Sequence, residues 1–336
     1  MQIKENFSLK PYNTFSIDAK ARYFSTFSNE DELSELTTHN SQLKTFILGG
    51  GSNILLAKDP EGLVLKNEVK GIELLHEDPD YVYVKAGAGE NWHQFVLYCL
   101  AHNWAGIENL SLIPGNVGAS PIQNIGAYGV ELDDVFWSLE AFHLFEKKVH
   151  TFTRADCEFA YRDSIFKRMS KNEFAILSVT LQLKKRPVFH TSYGAITEEL
   201  EKMGVKELSI KAISQAVINI RSSKLPDPKE IPNAGSFFKN PEVAATKHDE
   251  LRSKFPDIVA YPLSKGTVKL AAGWMIEQCG WKGYRKGDAG CHAKQALVLV
   301  NYGNATGKEI YELSEQILQS VNKKFGVLLE REVNII

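Results

Sequence analysis

Residues Ile113–Gly129 read IPGNVGASPIQNIGAYG, and the fold turns on what that stretch is for. Gly115, Gly118, Gly126 and Gly129 punctuate it, with Ser120, Gln123 and Asn124 between them. Glycine lets the main chain approach a ligand closely, while amide and hydroxyl side chains bond ring nitrogens or phosphate oxygens. So long a loop in a compact domain reads as functional rather than connecting. A second run, LGGGSN at Leu48–Asn53, follows the strand-like KTFIL and can aim several N–H groups at an anion. A plain turn explains that shorter run as well. The glycines of KAGAGENW stop after GxG, neither glycine run has GxGxxG spacing, and no GxxxxGK[ST] occurs, so a Rossmann site and a P-loop are disfavoured.

Around these loops the early chain reads as short strands: KTFILGG, GLVLKN, DYVYVKAG, FWSLEAFHLFEKKVHTFTR and FAILSVTLQLKK. NWHQFVLYCLAHNW reads as an amphipathic helix among them. From about residue 210 helices take over. ISQAVINIRSSKLPDP is closed by prolines, which remove a donor and restrict the preceding residue. VKLAAGWMIEQCG reads as a helix capped by Gly280, and GKEIYELSEQILQSVNKKFG as a long helix ending near Gly326. VLLEREVNII reads as a closing strand, with Glu330 and Glu332 on one face and Val327, Leu329, Val333 and Ile335 on the other. The class is α+β.

At 336 residues the chain exceeds one typical core, so two or three domains are expected. A net charge of -2 with no long Lys/Arg runs argues against nucleic acid or an anionic membrane as partner. The start lacks an apolar signal-like region, so a cytoplasmic location is expected. The four cysteines form no CxxC pair and the nine histidines are scattered, so no metal is expected.

Four chemical groups stand out, each with a plainer alternative. Ser236, in NAGSFFKNP, either serves a turn or cap or is a hydroxyl placed to move a proton. Arg162, in YRDSIFK, either bridges to Asp163 or binds a carboxylate in bidentate fashion. Glu330 and Glu332 either line a solvated face or supply an acid. Lys224, in RSSKLPDP, is a surface lysine or a phosphate contact.

Taken in order, NTF (13–15), LGGGSN, IPGNVGASPIQNIGAYGVEL, YRDSIFK, NAGSFFKNP and AAGWMIEQCGWKG resemble the UDP-N-acetylenolpyruvoylglucosamine reductases of bacterial peptidoglycan synthesis. The resemblance runs from Asn13 to Glu332, and TSYGAI resembles the tyrosine-bearing loop of the longer subgroup. It implies an FAD-binding fold of the vanillyl-alcohol-oxidase/PCMH type: two α+β subdomains (1–70 with 327–336, and 71–208) and an α+β UDP-sugar domain (209–326). FAD, tightly bound, is then held by Gly49, Gly50, Gly51, Ser52, Asn53, Pro114, Gly115, Ser120, Gln123, Asn124, Gly126 and Ala127. Asn116 varies in character within the family and is not counted. The implied reaction reduces UDP-N-acetylglucosamine enolpyruvate to UDP-N-acetylmuramate with NADPH as reductant. The resemblance makes Ser236 the proton donor to C2, with Arg162 and Glu332 stabilising the enolate. Tyr193, Lys224, Asn240, Lys282 and Gln295 then contact the two diphosphate ligands, which occupy one pocket in turn. A monomer is expected. Two other readings stay open: an oxidase of the same flavin fold has no need of Ser236 or Lys224, and a non-catalytic nucleotide-sugar binder has no need of the Ile113–Gly129 loop.

Overall fold

The computed structural model describes residues 2–168, 170, 172–193, 195–263 and 266–336. It divides into two compact units: Met1–Phe7, Ala21–Gly51 and Pro60–Ser223 in the first, and Ser8–Lys20, Ser52–Asp59 and Lys224–Ile336 in the second.

In the first unit, strands Lys20–Phe27 and Thr45–Leu48 both run parallel to Leu63–Asn67. Parallel neighbours need a crossover, and the helix Glu30–His39 supplies it, with Asn29 accepting a capping bond from Glu32 N–H. An antiparallel sheet has the order Lys148–Thr153, Phe136–His143, Phe174–Lys184, Tyr81–Gly87, Ile72–Glu77. Helix Trp92–Ala101 buries Trp92, Phe95, Val96, Cys99 and Leu100, the i, i+3, i+4 stripe of a helix facing a core. Those side chains pack with Val82, Val84, Val179 and Leu181 of the sheet. Helices Ile196–Lys202 and Ile210–Lys224 share a smaller core of Ile196, Leu200, Ile213, Val217 and Ile220.

In the second unit, strands Asn233–Ser236, Val298–Asn301, Ala289–Cys291 and Arg285–Lys286 form an antiparallel sheet in that order. Helix Gly307–Phe325 is read correctly from its pattern: Thr306 and Glu309 form a capping box, Gly326 ends it at φ 61°, and Ile310, Leu313, Ile317, Val321 and Phe325 are buried. The NTF stretch is a brace. Thr14 O accepts from Asn233 N–H at 2.9 Å, Phe15 O accepts from Asn301 Nδ2 at 2.9 Å, and the Phe15 ring meets Phe237 edge-on.

Two sequence expectations fail. VKLAAGWMIEQCG is not one helix: Thr267–Leu270 is the middle strand of a three-stranded sheet, and the helix is only Ala272–Gln278. VLLEREVNII is not one strand. Only Asn334–Ile335 pairs, in parallel with Ile54–Leu55, while Arg331 makes a lone bridge to Phe238. Burial still alternates as expected, with Val327, Leu329 and Val333 inside and Leu328 and Glu330 outside. The segment alternates because it lies along other elements, not because it belongs to a continuous ladder.

Candidate active site

In the second unit the candidate site is built from Ser236. Between Asn233 and Ser236 the strand holds one residue more than its partner between Val300 and Val298, and Gly235 sits at φ 70°. This is a bulge, the device by which a strand re-aims a side chain. Asn233 closes the turn, its Oδ1 accepting from Gly235 N–H at 2.8 Å and its Nδ2 donating to Ile231 O at 2.8 Å. On the far side, Phe237 N–H donates to Leu297 O at 2.7 Å and Phe237 O accepts from Glu332 N–H at 2.9 Å. Ser236 is half-buried, and among the described residues its Oγ makes no hydrogen bond. The turn-capping role is therefore filled by Asn233, and the serine hydroxyl is held in place by its backbone while remaining uncommitted.

The two acids that the sequence could not separate differ in surroundings. Glu330 is exposed and pairs with Lys239 at 3.0 Å. Glu332 is half-buried, and its carbonyl accepts from Asn53 Nδ2 at 3.3 Å. Asn240 Oδ1 accepts the first helical N–H, Ala272, at 2.9 Å, and Gln295 O accepts from the N–H of Val298, the strand partner of Ser236, at 3.1 Å. Lys282 is turned to Glu277 at 2.9 Å. Lys224 is exposed at the end of its helix and, among the described residues, pairs with no carboxylate.

In the first unit the two glycine runs meet. A Cβ added to Gly50 would lie 2.8 Å from Gly115 Cα and 2.9 Å from Asn116 Oδ1, so glycine is needed there for close approach. Among the described residues the N–H groups of Gly49, Gly50 and Gly115 donate to no protein acceptor. Paired backbone loops with uncommitted donors fit the diphosphate of a dinucleotide cofactor. Ser52 and Asn53 continue the first run into the second unit. Within the longer loop, Ser120 Oγ donates to Val117 O at 2.6 Å. The Asn124 side chain is spent on Glu131, Ala160 O and Asp133 N–H, which leaves its backbone to serve other groups. Ala127 pairs with Val130 in a small hairpin that also contains Gly126. Pro114 and Gln123 lie in the same loop.

Arg162, at φ 55°, reaches back to that loop. Its guanidinium donates to Asn124 O at 3.3 Å and to Gly126 O at 2.5 Å, with Glu131 3.9 Å away. Asp163, the alternative partner raised by the sequence, is taken by Arg168 at 2.5 Å. Tyr193 is exposed but seated. Its ring meets Tyr128 edge-on at 6.2 Å, and a Cβ on Gly129, itself at φ 81°, would touch Tyr193 Cβ at 3.4 Å. Gly194, in the TSYGAI stretch, lies outside the described residues.

Sequence reasoning missed two residues here. Asn116, set aside as variable, stands where the glycine runs meet and donates to Gly89 O at 3.1 Å. Arg221 donates to Leu112 O at 3.3 Å, and burial lowers its pKa while the neighbouring Arg162 adds to the effect. The same arginine, after burial, lowers the pKa of His93, whose Nδ1 accepts Leu112 N–H at 3.0 Å. An arginine inside a helix pattern carries no local signal of such a role.

Comparison with known proteins bears on both units. A profile of the C-terminal domain of UDP-N-acetylenolpyruvoylglucosamine reductases matches residues 227–336, and an FAD binding domain profile matches 21–143. The chain is 51% identical to the UDP-N-acetylenolpyruvoylglucosamine reductase of Flavobacterium johnsoniae and 53% identical to that of Amoebophilus asiaticus, covering 100% of both chains in each case. The Pseudomonas putida enzyme of that name is 48% identical, with 100% of this chain and 99% of the relative covered. The crystal structure of the Thermus caldophilus UDP-N-acetylenolpyruvylglucosamine reductase shares the fold, with a TM-score of 0.70 at 23% identity over 99% of this chain and 98% of that one.

Proposed function

The chain belongs to the UDP-N-acetylenolpyruvoylglucosamine reductase family of FAD-dependent oxidoreductases, and from that premise we propose the following division of labour among its residues. The substrate is UDP-N-acetylglucosamine enolpyruvate, the product UDP-N-acetylmuramate and the reductant NADPH. FAD, when bound, relays a hydride from NADPH to C3 of the enolpyruvyl group. The cradle for it comprises Gly49–Asn53 and Pro114, Gly115, Ser120, Gln123, Asn124, Gly126 and Ala127.

Addition at C3 leaves an electron pair at C2, delocalised into the adjacent carboxylate. Ser236 Oγ–H supplies the proton that forms the C2–H bond, and the alkoxide left behind is reprotonated from solvent. A hydroxyl is a weak acid, and only so basic an acceptor makes it competent. The observation that carries this reading is the uncommitted Ser236 hydroxyl on a backbone pinned from both sides. Arg162 offers a planar fork suited to a carboxylate and its developing charge, and Glu332 assists the proton transfer at C2. Tyr193, Lys224, Asn240, Lys282 and Gln295 bind the diphosphates of substrate and NADPH. The three-part division, with FAD on 1–70, 327–336 and 71–208 and the UDP-sugar on 209–326, belongs to the same proposal.

The test is direct. Purified protein should be yellow and should oxidise NADPH only when the enolpyruvyl nucleotide is present, yielding UDP-N-acetylmuramate by mass spectrometry. Steady NADPH oxidation that is indifferent to that nucleotide would contradict the assignment.

A further inference from the structure

Asn109 is buried, 1% exposed, in the short turn Glu108–Leu110 that precedes the long glycine loop. The turn is fixed from several directions. Gly106 N–H donates to Glu108 Oε2 at 2.7 Å, Trp92 Nε1 donates to Leu110 O at 3.0 Å, and the hydroxyls of Ser111 and Ser214 meet at 2.7 Å. From this base Asn109 Nδ2 donates to two carbonyls far apart in sequence: Tyr128 O at 3.0 Å, in the glycine loop, and His190 O at 2.8 Å, in the segment leading to Tyr193. Its Oδ1 is buried without a partner. An unmet buried acceptor is costly, so the amide is held in place by its donors.

The His190–Tyr193 segment has little else to fix it. Residues 185–193 carry no helix or strand. Among the described residues the main chain of 186–193 is held by Asn109 at His190 O and by Thr197 Oγ1 at Thr191 O, 3.0 Å. Tyr193 then leans on Tyr128 and Gly129, whose carbonyl neighbour is Asn109's other acceptor.

We propose that Asn109 is a positioning residue that clamps the Tyr193 segment to the glycine loop and so sets the affinity for the diphosphate-bearing ligands. The inference rests on the reading of Tyr193 as a ligand contact. Donors on a single amide tie His190, at the base of the Tyr193 segment, to Tyr128 of the glycine loop, and an anchored base lowers the ordering cost of binding.

The experiment uses the flavin-loaded enzyme with Asn109→Leu, and with Asn109→Ser, a smaller change that keeps one donor. The clamp predicts retained FAD, kcat within about twofold, and KM for both NADPH and the enolpyruvyl nucleotide raised about tenfold, equivalent to about 1.4 kcal/mol of binding free energy. Amide hydrogen exchange across 187–193 should accelerate. Combining Asn109→Ser with Tyr193→Phe should raise KM no further than Tyr193→Phe alone. Unchanged exchange, or fully additive losses in the double variant, would overturn the clamp. Unchanged KM in Tyr193→Phe alone would overturn the ligand-contact reading instead, while the exchange measurement still decides the clamp.

Discussion

Ser236 owes its freedom to Asn233. An isolated serine after Ala-Gly ordinarily satisfies a turn, but here the asparagine three residues earlier already does so, and the bulge at Gly235 leaves the hydroxyl unclaimed. A similar contrast separates Arg162 from its neighbour: Asp163 is paired with Arg168, and Arg162 reaches the carbonyls of Asn124 and Gly126 in the long glycine loop. Glu108 shows a different residue-scale effect. Burial raises its pKa, and its Oε1 has no partner. A carboxyl with a raised folded pKa binds more protons folded than unfolded over the window that begins near the ordinary value of about 4.3. Its contribution to stability is thus present below that value and lost as pH rises through the folded pKa. Thermal unfolding of Glu108→Gln should accordingly gain on the unsubstituted protein as pH rises from about 5 to 8, and a constant difference between the two across that range would contradict the argument.

At the scale of elements, the glycine runs are the informative feature. Gly50 and Gly115 touch backbone to backbone. Gly50→Ala should force the runs apart at an overpacking cost of about 1–3 kcal/mol, visible as FAD lost on gel filtration and a lower Tm; full FAD retention would show that the contact is not required. Much of this level was legible in sequence. Helix Trp92–Ala101 and helix Gly307–Phe325 follow from apolar periodicity and, for the latter, from caps at both ends. The helix Ala272–Gln278 was overextended because Thr267–Leu270 is apolar enough to continue the pattern, and only pairing with Glu242–Ala244 and Ala260–Pro262 makes it a strand. The closing strand failed for the converse reason, since alternation reports which side is buried and not whether a ladder exists. Asn109 and Arg221 left no sequence signal because their roles depend on carbonyls roughly 20 to 110 residues away.

Along the whole chain, the residues named in the proposal are divided between the two units. The first carries most of the glycine cradle, Arg162 and Tyr193, and the second carries Ser236, Glu332, Asn240 and Gln295. Among the described residues no helix is long and apolar enough to cross a membrane, and no cluster of three metal-ligating side chains occurs. The proposed reaction divides in time as its proposed residues divide in role. Flavin reduction by NADPH needs no proton donor at a substrate carbon, whereas reduction of the enolpyruvyl group does. The decisive measurement is therefore anaerobic stopped-flow absorbance of the flavin in Ser236→Ala. Bleaching by NADPH is expected at the unsubstituted rate, followed by reoxidation with UDP-N-acetylglucosamine enolpyruvate slowed by at least about 10²-fold, the loss expected of a general acid. Reoxidation at the unsubstituted rate would contradict the role of Ser236 as proton donor.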